Sequence, residues 1–380
     1  MSASSVATEE RTAASTFPMG TLFLVLLVIL GIVAAIVRYT QGLGAATNLR
    51  DGVPWGLWIG LDVMTGVALS AGGFTMAAVV YIFRLKRYYP LLRPALLTAL
   101  IGYLLAAGAI LFDLGRPERF YHPFLYWNPH SVMFEIAWSV IIYLTILMVE
   151  NSQLVAERFQ IKWLLRLLRL VLIPVVTLGI IISTMHQSSL GGLFLLVPQR
   201  LYPLWYTPLL PLLFYMTAIV VGFSMTIIES LLTASAYDRP PEMNLLRDLG
   251  QWIMWLLLAY LVVNLGVIVF SGKGALLFQP QLGTAMYWTE IGIGVILPLI
   301  ILAQPRLRDD RVWLFRAAVL AAIGVVLNRF DVLFWGLGGV TYSPSWMEFA
   351  VSAGLIALGI LLFMFAVKRL PVFDQHATDH

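Results

Sequence analysis

The chain contains no cysteine, and it has few charged residues. Of its 380 residues, 12% are charged whereas 60% are hydrophobic, and the mean hydropathy is +0.87. The absence of cysteine excludes a disulfide, a thiolate metal site and a cysteine-bound iron–sulfur cluster in this chain. The shortage of charge excludes a soluble globular domain, because so much apolar surface cannot be buried in a core. The composition therefore indicates an integral membrane protein.

Histidine is also scarce. The chain has five, namely His122, His130, His186, His376 and His380. A b-type haem usually takes two axial histidines deep in a helix bundle. Here His130 and His186 are predicted at the ends of spans on one face, and the other three fall in loops or in the C-terminal tail. We therefore expect no haem in this chain.

Ten apolar stretches are long enough to cross a membrane, which takes about 20 residues at ~1.5 Å each. The sequence predicts an all-α membrane protein with about ten transmembrane helices. A single transmembrane domain is expected over 17–371, with disordered tails at 1–16 and 372–380. The predicted spans are 18–37, 55–83, 91–113, 131–149, 167–186, 205–228, 250–270, 286–304, 313–336 and 346–367.

Lysine and arginine indicate how the spans are oriented. With the N-terminus in the cytoplasm, 17 of these residues fall on the cytoplasmic side and 6 on the other, while Arg329 lies within a span. An excess of positive charge in short loops marks the cytoplasmic face. Both termini are therefore predicted to be cytoplasmic, and the net charge of +4 reflects this bias.

Ionisable residues within the spans gather near the outer face. Asp62 lies about 10 Å inside the second span by helical rise, Glu135 lies one turn into the fourth, and His186 is predicted to end the fifth. Glu150, Glu229 and Asp248 fall at the inner edge. Charged side chains inside a membrane are costly and usually functional. An outer cluster of acids and a histidine fits a quinone, whose two-electron reduction needs two protons delivered locally.

The longest predicted loops all lie on the outer face and are apolar and aromatic. They either pack on top of the helices or are covered by a partner subunit. The loop after His186 is expected to fold back tightly over that residue through Gly191 and Gly192. The loops are 38–54, 114–130, 187–204 and 271–285.

Four segments together resemble the NrfD/polysulfide-reductase membrane-subunit family, and most of all its ten-span HybB type. They read DGVPWGLWIGLDVMTGVALSAGGF (51–74), LFDLGRPERF (111–120), NPHSVMFE (128–135) and TMHQSSLGGL (184–193). The resemblance implies two four-helix bundles, formed by spans 2–5 and 6–9, with spans 1 and 10 flanking them. It also implies a haem-free subunit of the bacterial inner membrane that binds menaquinone or ubiquinone near the periplasmic face.

The resemblance further implies partners and site residues. A periplasmic ferredoxin-like iron–sulfur subunit would connect the quinone to a catalytic subunit, either a NiFe hydrogenase or a molybdopterin or other oxidoreductase. His186, Asp62 and Glu135 are the implied quinone-protonating residues, and Trp55 and Ser189 join them in the quinone-binding set. The subunit would carry no redox cofactor of its own.

Several functions stay open at this point. Quinone reduction coupled to hydrogen oxidation is the first expectation. Quinol oxidation for another periplasmic reductase, or in an alternative complex III type assembly, is the second, because the third span ends in DLGRPERF, a form common in the wider family. A secondary transporter is less favoured because charge is sparse at the predicted midplane. A purely structural anchor would need no clustered ionisable groups.

Protons for the quinone site reach it either from outside or from the cytoplasm. A cytoplasmic route needs a chain of polar groups across the membrane. The predicted chain runs from Glu229 past Ser224 to Glu135.

The expected absence of haem can be checked directly. The purified protein should show neither a Soret band nor a reduced-minus-oxidised signal in the b-type α region, because too few histidines can meet in pairs. A b-type cytochrome at the same concentration serves as the positive control, and a stoichiometric haem signal would contradict the prediction.

Overall fold

The computed structural model describes residues 18–50, 52–53, 55–337 and 342–373. Within these ranges it contains ten helices long and apolar enough to cross a membrane. The only β-type pairing among them is an isolated bridge between Arg50 and Val53. The prediction of an all-α membrane protein with about ten spans is confirmed. The helices are α1 (Met19–Gln41), α2 (Trp58–Ile82), α3 (Lys86–Asp113), α4 (Val132–Arg158), α5 (Lys162–Leu196), α6 (Leu210–Ala236), α7 (Met243–Phe270), α8 (Leu282–Ala303), α9 (Arg311–Trp335) and α10 (Trp346–Arg369).

The loops form two groups at opposite ends of the helices. At one end, Tyr88 donates to Asp248 over 2.9 Å, and Arg247 pairs with Asp309 at 2.6 Å. This end also holds the start of α1 and the end of α10, and we call it the terminal face. At the other end, the opposite face, Asn48 donates to the carbonyl of Ser343 over 2.8 Å.

Small residues let the helices approach each other closely. A Cβ placed on Gly31 of α1 would lie 3.1 Å from the Cα of Gly354 in α10. A Cβ on Gly222 of α6 would lie 2.9 Å from the backbone of α2. The backbones of α8 and α9 meet through Gly294 and Gly324. Such contacts replace the hydrophobic driving force that lipid-surrounded helices lack.

Three spanning helices carry π-helical turns. The segment Trp58–Thr65 opens α2, Gly292–Ile296 lies within α8, and Asp331–Trp335 ends α9. The wider turn changes which side chains face the interior, and such turns are frequent at functional sites. Asp62 lies within the first of them.

The sequence predicts that the fifth span ends at His186, and this is wrong. Helix α5 continues to Leu196, so His186 lies ten residues before its end. The polar residues after His186 resemble a helix end by hydropathy, but Gln187 faces the interior and donates to the Val67 carbonyl over 3.2 Å. Gly191 is also helical and does not form a folded-back loop. Its bare Cα instead admits the Leu210 carbonyl, 2.7 Å from the position of an added Cβ.

Other predicted boundaries are too short for the same reason. Helix α4 runs to Arg158, so Glu150 lies well inside the helix and is buried. The C-terminal tail is predicted from 372, yet Val372 is buried and Phe373 packs against Tyr237. The predicted N-terminal tail and the remainder of the C-terminal tail, including His376 and His380, lie outside the described residues.

The segments predicted as outer loops behave in two ways. In the segment after His186, Phe194, Leu204 and Trp205 are buried against the helices. Between α3 and α4, the segment 120–127 stays exposed and aromatic, with Trp127 exposed by 67%. Packing on the helices therefore accounts for the first loop but not for the second.

The α8–α9 contact gives a stability test. The Gly294→Ala substitution should lower stability by about 1–3 kcal/mol, because overpacking shifts backbones that cannot yield. In the wild-type contact an added Cβ would lie 2.2 Å from the Cα of Gly324. Gly292→Ala is the matched control, since no atom lies within 4 Å of its added Cβ. Thermal unfolding in detergent should separate the two variants, and equal melting temperatures would contradict this account.

Candidate functional site

The first candidate site is a polar cluster where α3, α4 and α5 meet. His186 of α5 is completely buried, and its ring centroid lies 6.0 Å from that of Tyr103 in α3. Tyr103 in turn packs edge-on against Tyr143 of α4 at 4.7 Å. The Tyr103 hydroxyl lies toward Ser183 and Gln187, one turn apart on α5. We call these five residues the His186 cluster.

The cluster is unusually rich in unpartnered polar atoms. Buried polar groups are normally hydrogen-bonded, because an unsatisfied one costs about 1–3 kcal/mol. Here both ring nitrogens of His186 lack a hydrogen bond to any described residue. The hydroxyls of Tyr103, Tyr143 and Ser183 and the Gln187 side-chain oxygen form no hydrogen bond of normal geometry with a described residue, although the Tyr103 hydroxyl lies toward Ser183 and Gln187. The arrangement can therefore bind a polar group or carry protons.

The second candidate site is a cleft that begins at Asp62. Asp62 is 8% exposed, and the Ser352 hydroxyl of α10 donates to its carboxyl over 2.5 Å. The cleft has a volume of about 770 Å³ and lies between α1 and α10 on one wall and α2, α3 and α6 on the other. Its lining is mainly apolar, and exposed side chains such as Phe23 and Ile356 form its rim. The cleft therefore faces the lipid side of the bundle.

Glu229 of α6 lines the same cleft further toward the terminal face. Thr98 of α3 donates to one of its carboxyl oxygens over 2.8 Å, and the other oxygen has no partner within the described ranges. Thr98 is the thirteenth of the 28 residues of α3. The sequence places Glu229 at the inner edge, but this contact brings its carboxyl toward the middle of the span. Ser224, predicted as the next group along, instead donates to the Val220 carbonyl of its own helix over 2.8 Å.

Glu135 lies in the first turn of α4, half-buried, and accepts a hydrogen bond from Ser139 over 2.8 Å. Its second oxygen is buried and has no partner among the described side chains. Trp55 packs edge-on against Phe194 with ring centroids 6.1 Å apart, and Ser189 is half-buried in α5. All three predicted residues therefore belong to the region near the opposite face.

The predicted site residues are only partly brought together. Asp62 and Glu229 share one cleft, which the sequence does not predict. Across the described residues, no hydrogen bond, ion pair or ring contact joins any two of Asp62, Glu135 and His186. The link between the two candidate sites is indirect, because Gln187 of the His186 cluster bonds to α2 at Val67, one turn past Asp62.

The sequence pattern does not single out several polar residues of these sites. Tyr103, Tyr143, Thr98 and Ser352 sit singly in apolar helices, and only their neighbours in space give them a role. The described residues contain no group of three potential metal ligands.

A buried polar network also links α6 to α9. Glu290 accepts hydrogen bonds from Trp205 at 3.0 Å and from Asn328 at 2.9 Å. Arg329 is completely buried, donates to Thr217 over 2.9 Å and stacks on the Phe214 ring at 3.5 Å. Both oxygens of the Glu290 carboxyl group therefore accept hydrogen bonds, unlike the polar atoms of the His186 cluster. The network is therefore suited to holding helices together.

Comparison with known proteins identifies the family. The family model for the polysulphide reductase NrfD matches residues 45–340. The chain belongs to the NrfD family. A probable Ni/Fe-hydrogenase 2 b-type cytochrome subunit of Escherichia coli K12 is 34% identical over 93% of this chain and 92% of its own length. The resemblance read from the sequence motifs, including its HybB-type character, is confirmed.

Two other NrfD-family relatives also align along most of the chain. The integral membrane subunit of a menaquinone reductase from Nitratidesulfovibrio vulgaris Hildenborough is 27% identical over 97% of this chain and 94% of its own. A selenate reductase subunit from Mesobacillus selenatarsenatis is 25% identical over 93% of both chains. This NrfD chain is thus similar to subunits of several different reductases, and it is a membrane subunit of the respiratory oxidoreductase type.

Proposed function

We propose that this NrfD protein is the quinone-binding subunit of a respiratory complex, exchanging electrons between a periplasmic iron–sulfur subunit and menaquinone or ubiquinone. The observation that carries the proposal is the Asp62 carboxyl, buried at the end of an apolar cleft that faces lipid. A prenylated head group needs an apolar approach and a polar end, and the cleft supplies both. One relative is named as a menaquinone reductase subunit, which supports the same ligand class.

The chain's residues take distinct roles in this proposal. When bound, the quinone would accept or release two electrons and two protons. Asp62 holds a proton at the cleft, where Ser352 orients its carboxyl. His186, on the side of α2 that faces α5, stores protons together with Tyr103 and the hydroxyls around it. Glu135 exchanges protons at the opposite face, near Trp55 and Ser189.

The direction of electron flow and the catalytic partner are proposed from the relatives. Quinone reduction coupled to hydrogen oxidation is our first proposal, supported by the hydrogenase relative that covers 93% of the chain. Quinol oxidation for another reductase is the alternative, supported by the selenate reductase relative. In both cases a ferredoxin-like subunit and a catalytic subunit would carry the redox centres.

Membrane orientation completes the proposal. The terminal face is assigned to the cytoplasm of a bacterial inner membrane, because most Lys and Arg residues fall there. The opposite face is then periplasmic. Its exposed segment 120–127 is the proposed docking surface for the iron–sulfur subunit. Two four-helix bundles, α2–α5 and α6–α9, remain the proposed arrangement, joined where α2 meets α6.

Protons are proposed to come from the cytoplasm through Glu229. The sequence predicts that protons continue from Glu229 past Ser224 to Glu135. The cleft offers a more direct route, because Glu229 and Asp62 both line it. Protons drawn from the cytoplasm make the reaction store energy, about 2.3 kcal/mol per proton at 100 mV.

The site proposal is tested with His186→Ala and Asp62→Asn in the intact complex. Each should lower quinone-linked turnover by about tenfold or more, because a positioned proton donor or acceptor is lost. Activity with a soluble dye that accepts electrons directly from the partner subunits should persist. His376→Ala, outside the described residues, is the histidine control. A parallel fall in dye and quinone activities would instead indicate faulty assembly and defeat the proposal.

Docking is tested with a photo-cross-linking residue at Trp127. It should give an adduct with the iron–sulfur subunit, because large exposed aromatic side chains are typical of interface anchors. Phe159 is the control position, since it is also exposed, by 68%, but lies at the terminal face between α4 and α5. An adduct at Phe159 alone would reverse the assigned orientation.

A further inference from the structure

Glu229 lies between two cavities. One is the cleft that leads to Asp62. The other, about 640 Å³ in volume, lies at the terminal face and is lined by polar residues such as Arg93, Arg239 and Glu242. Glu229 and its helical neighbour Thr233 line both cavities. The Glu229 side chain thus lies on the wall of both cavities, while its unpartnered carboxyl oxygen is buried.

A short C-terminal segment forms part of the wall of the terminal-face cavity. Helix α10 ends at Arg369, and the four residues Leu370–Phe373, which we call the strap, then cross toward α3 and α6. Val372 and Phe373 both line the cavity. The Val372 side chain is 2% exposed and packs among Leu97 and Leu154.

Two arginines hold the strap through its backbone. Arg93 of α3 donates to the Pro371 carbonyl over 3.1 Å. Arg239, just after α6, donates to the Phe373 carbonyl over 3.2 Å, and its guanidinium lies 4.4 Å from the centroid of the Phe373 ring. The Phe373 ring also packs against Tyr237 at 6.2 Å. The two arginines therefore hold the strap at Pro371 and at Phe373, on either side of Val372.

Releasing the strap would leave no buried charge unpaired. Arg93 is buried but also pairs with Glu157 at 2.7 Å, so it keeps a counter-charge when the Pro371 carbonyl leaves. Arg239 is only half-buried and can be hydrated in place. The principal cost of release is withdrawing the Val372 side chain from its apolar contacts. Such a cost favours the closed form while permitting local opening.

We propose that the strap is a gate over the terminal-face access to Glu229. With the strap seated, Glu229 communicates with the cleft and Asp62. With the strap lifted, its carboxyl takes up a proton from water on the terminal face. This proposal rests on the proposed proton route through Glu229, and it assigns to residues 370–373 the control of that route.

Carbodiimide labelling of Glu229 tests the gate without requiring turnover. A protonated carboxyl adds to a carbodiimide and rearranges to a stable N-acylurea, which peptide mass spectrometry locates. Water-soluble EDC reports access from the terminal face, and lipid-soluble dicyclohexylcarbodiimide reports access from the cleft. The assay uses the intact complex in inside-out membrane vesicles, and Glu229→Gln, which should remove the label, identifies the site.

Arg239→Gln and Phe373→Ala should each raise the EDC labelling rate of Glu229 about fivefold, because each removes one fastening of the strap. The dicyclohexylcarbodiimide rate should stay unchanged. Arg247→Gln is the matched control, since Arg247 lies on the same face but pairs with Asp309 and does not touch the strap.

Two results would overturn the gate. One is an EDC rate that is the same in wild type, Arg239→Gln and Phe373→Ala. The other is a rise in both reagents' rates together, which marks general loosening of the helices. Labelling does not depend on electron transfer. If the labelling result contradicts the gate, the Asp62→Asn turnover result can still be interpreted. If the turnover result contradicts quinone binding, the labelling result can still be interpreted.

Discussion

The structure depends on the cost of placing charge in hydrocarbon. An ionisable side chain in a lipid-surrounded helix must find a partner inside the protein or face a polar cavity. Arg329 meets this demand with Thr217, the Phe214 carbonyl and the Phe214 ring. Because those partners lie on α6, satisfying one arginine also fixes α9 against α6. Glu290 does the same between α8 and its donors on other segments.

The same constraint shows a difference between two buried polar clusters. Around Glu290 both carboxyl oxygens accept hydrogen bonds, although Nε of the neighbouring Arg329 has no partner among the described residues. This network is suited to holding helices in place. Around His186 the acceptors and donors are buried but not matched. A protein tolerates such a deficit where the groups act on a ligand or a proton. The two clusters lie in different sets of helices, and their hydrogen bonding differs.

Close helix packing determines where a ligand can enter. Gly31 and Gly354 bring α1 and α10 together as a pair, and Gly222 brings α6 against α2. Beside these tight contacts, the cleft lies between the α1–α10 pair and α2, α3 and α6. Asp62 and Glu229 are the acids on its wall. Under the proposed function, the chain would take part in redox chemistry by binding the quinone and exchanging protons with it.

The sequence alone determined the class of the protein and the number of its helices, because about 20 apolar residues in a row have one stable form in a membrane. Its motifs also determined the family. Helix ends were less well predicted, since hydropathy treats an inward-facing polar residue such as Gln187 as the end of a span. Only the tertiary structure decided that Asp62 shares a cleft with Glu229 and that His186 adjoins Tyr103. These pairings depend on which helices meet and how each is rotated, and residues far apart in sequence set both.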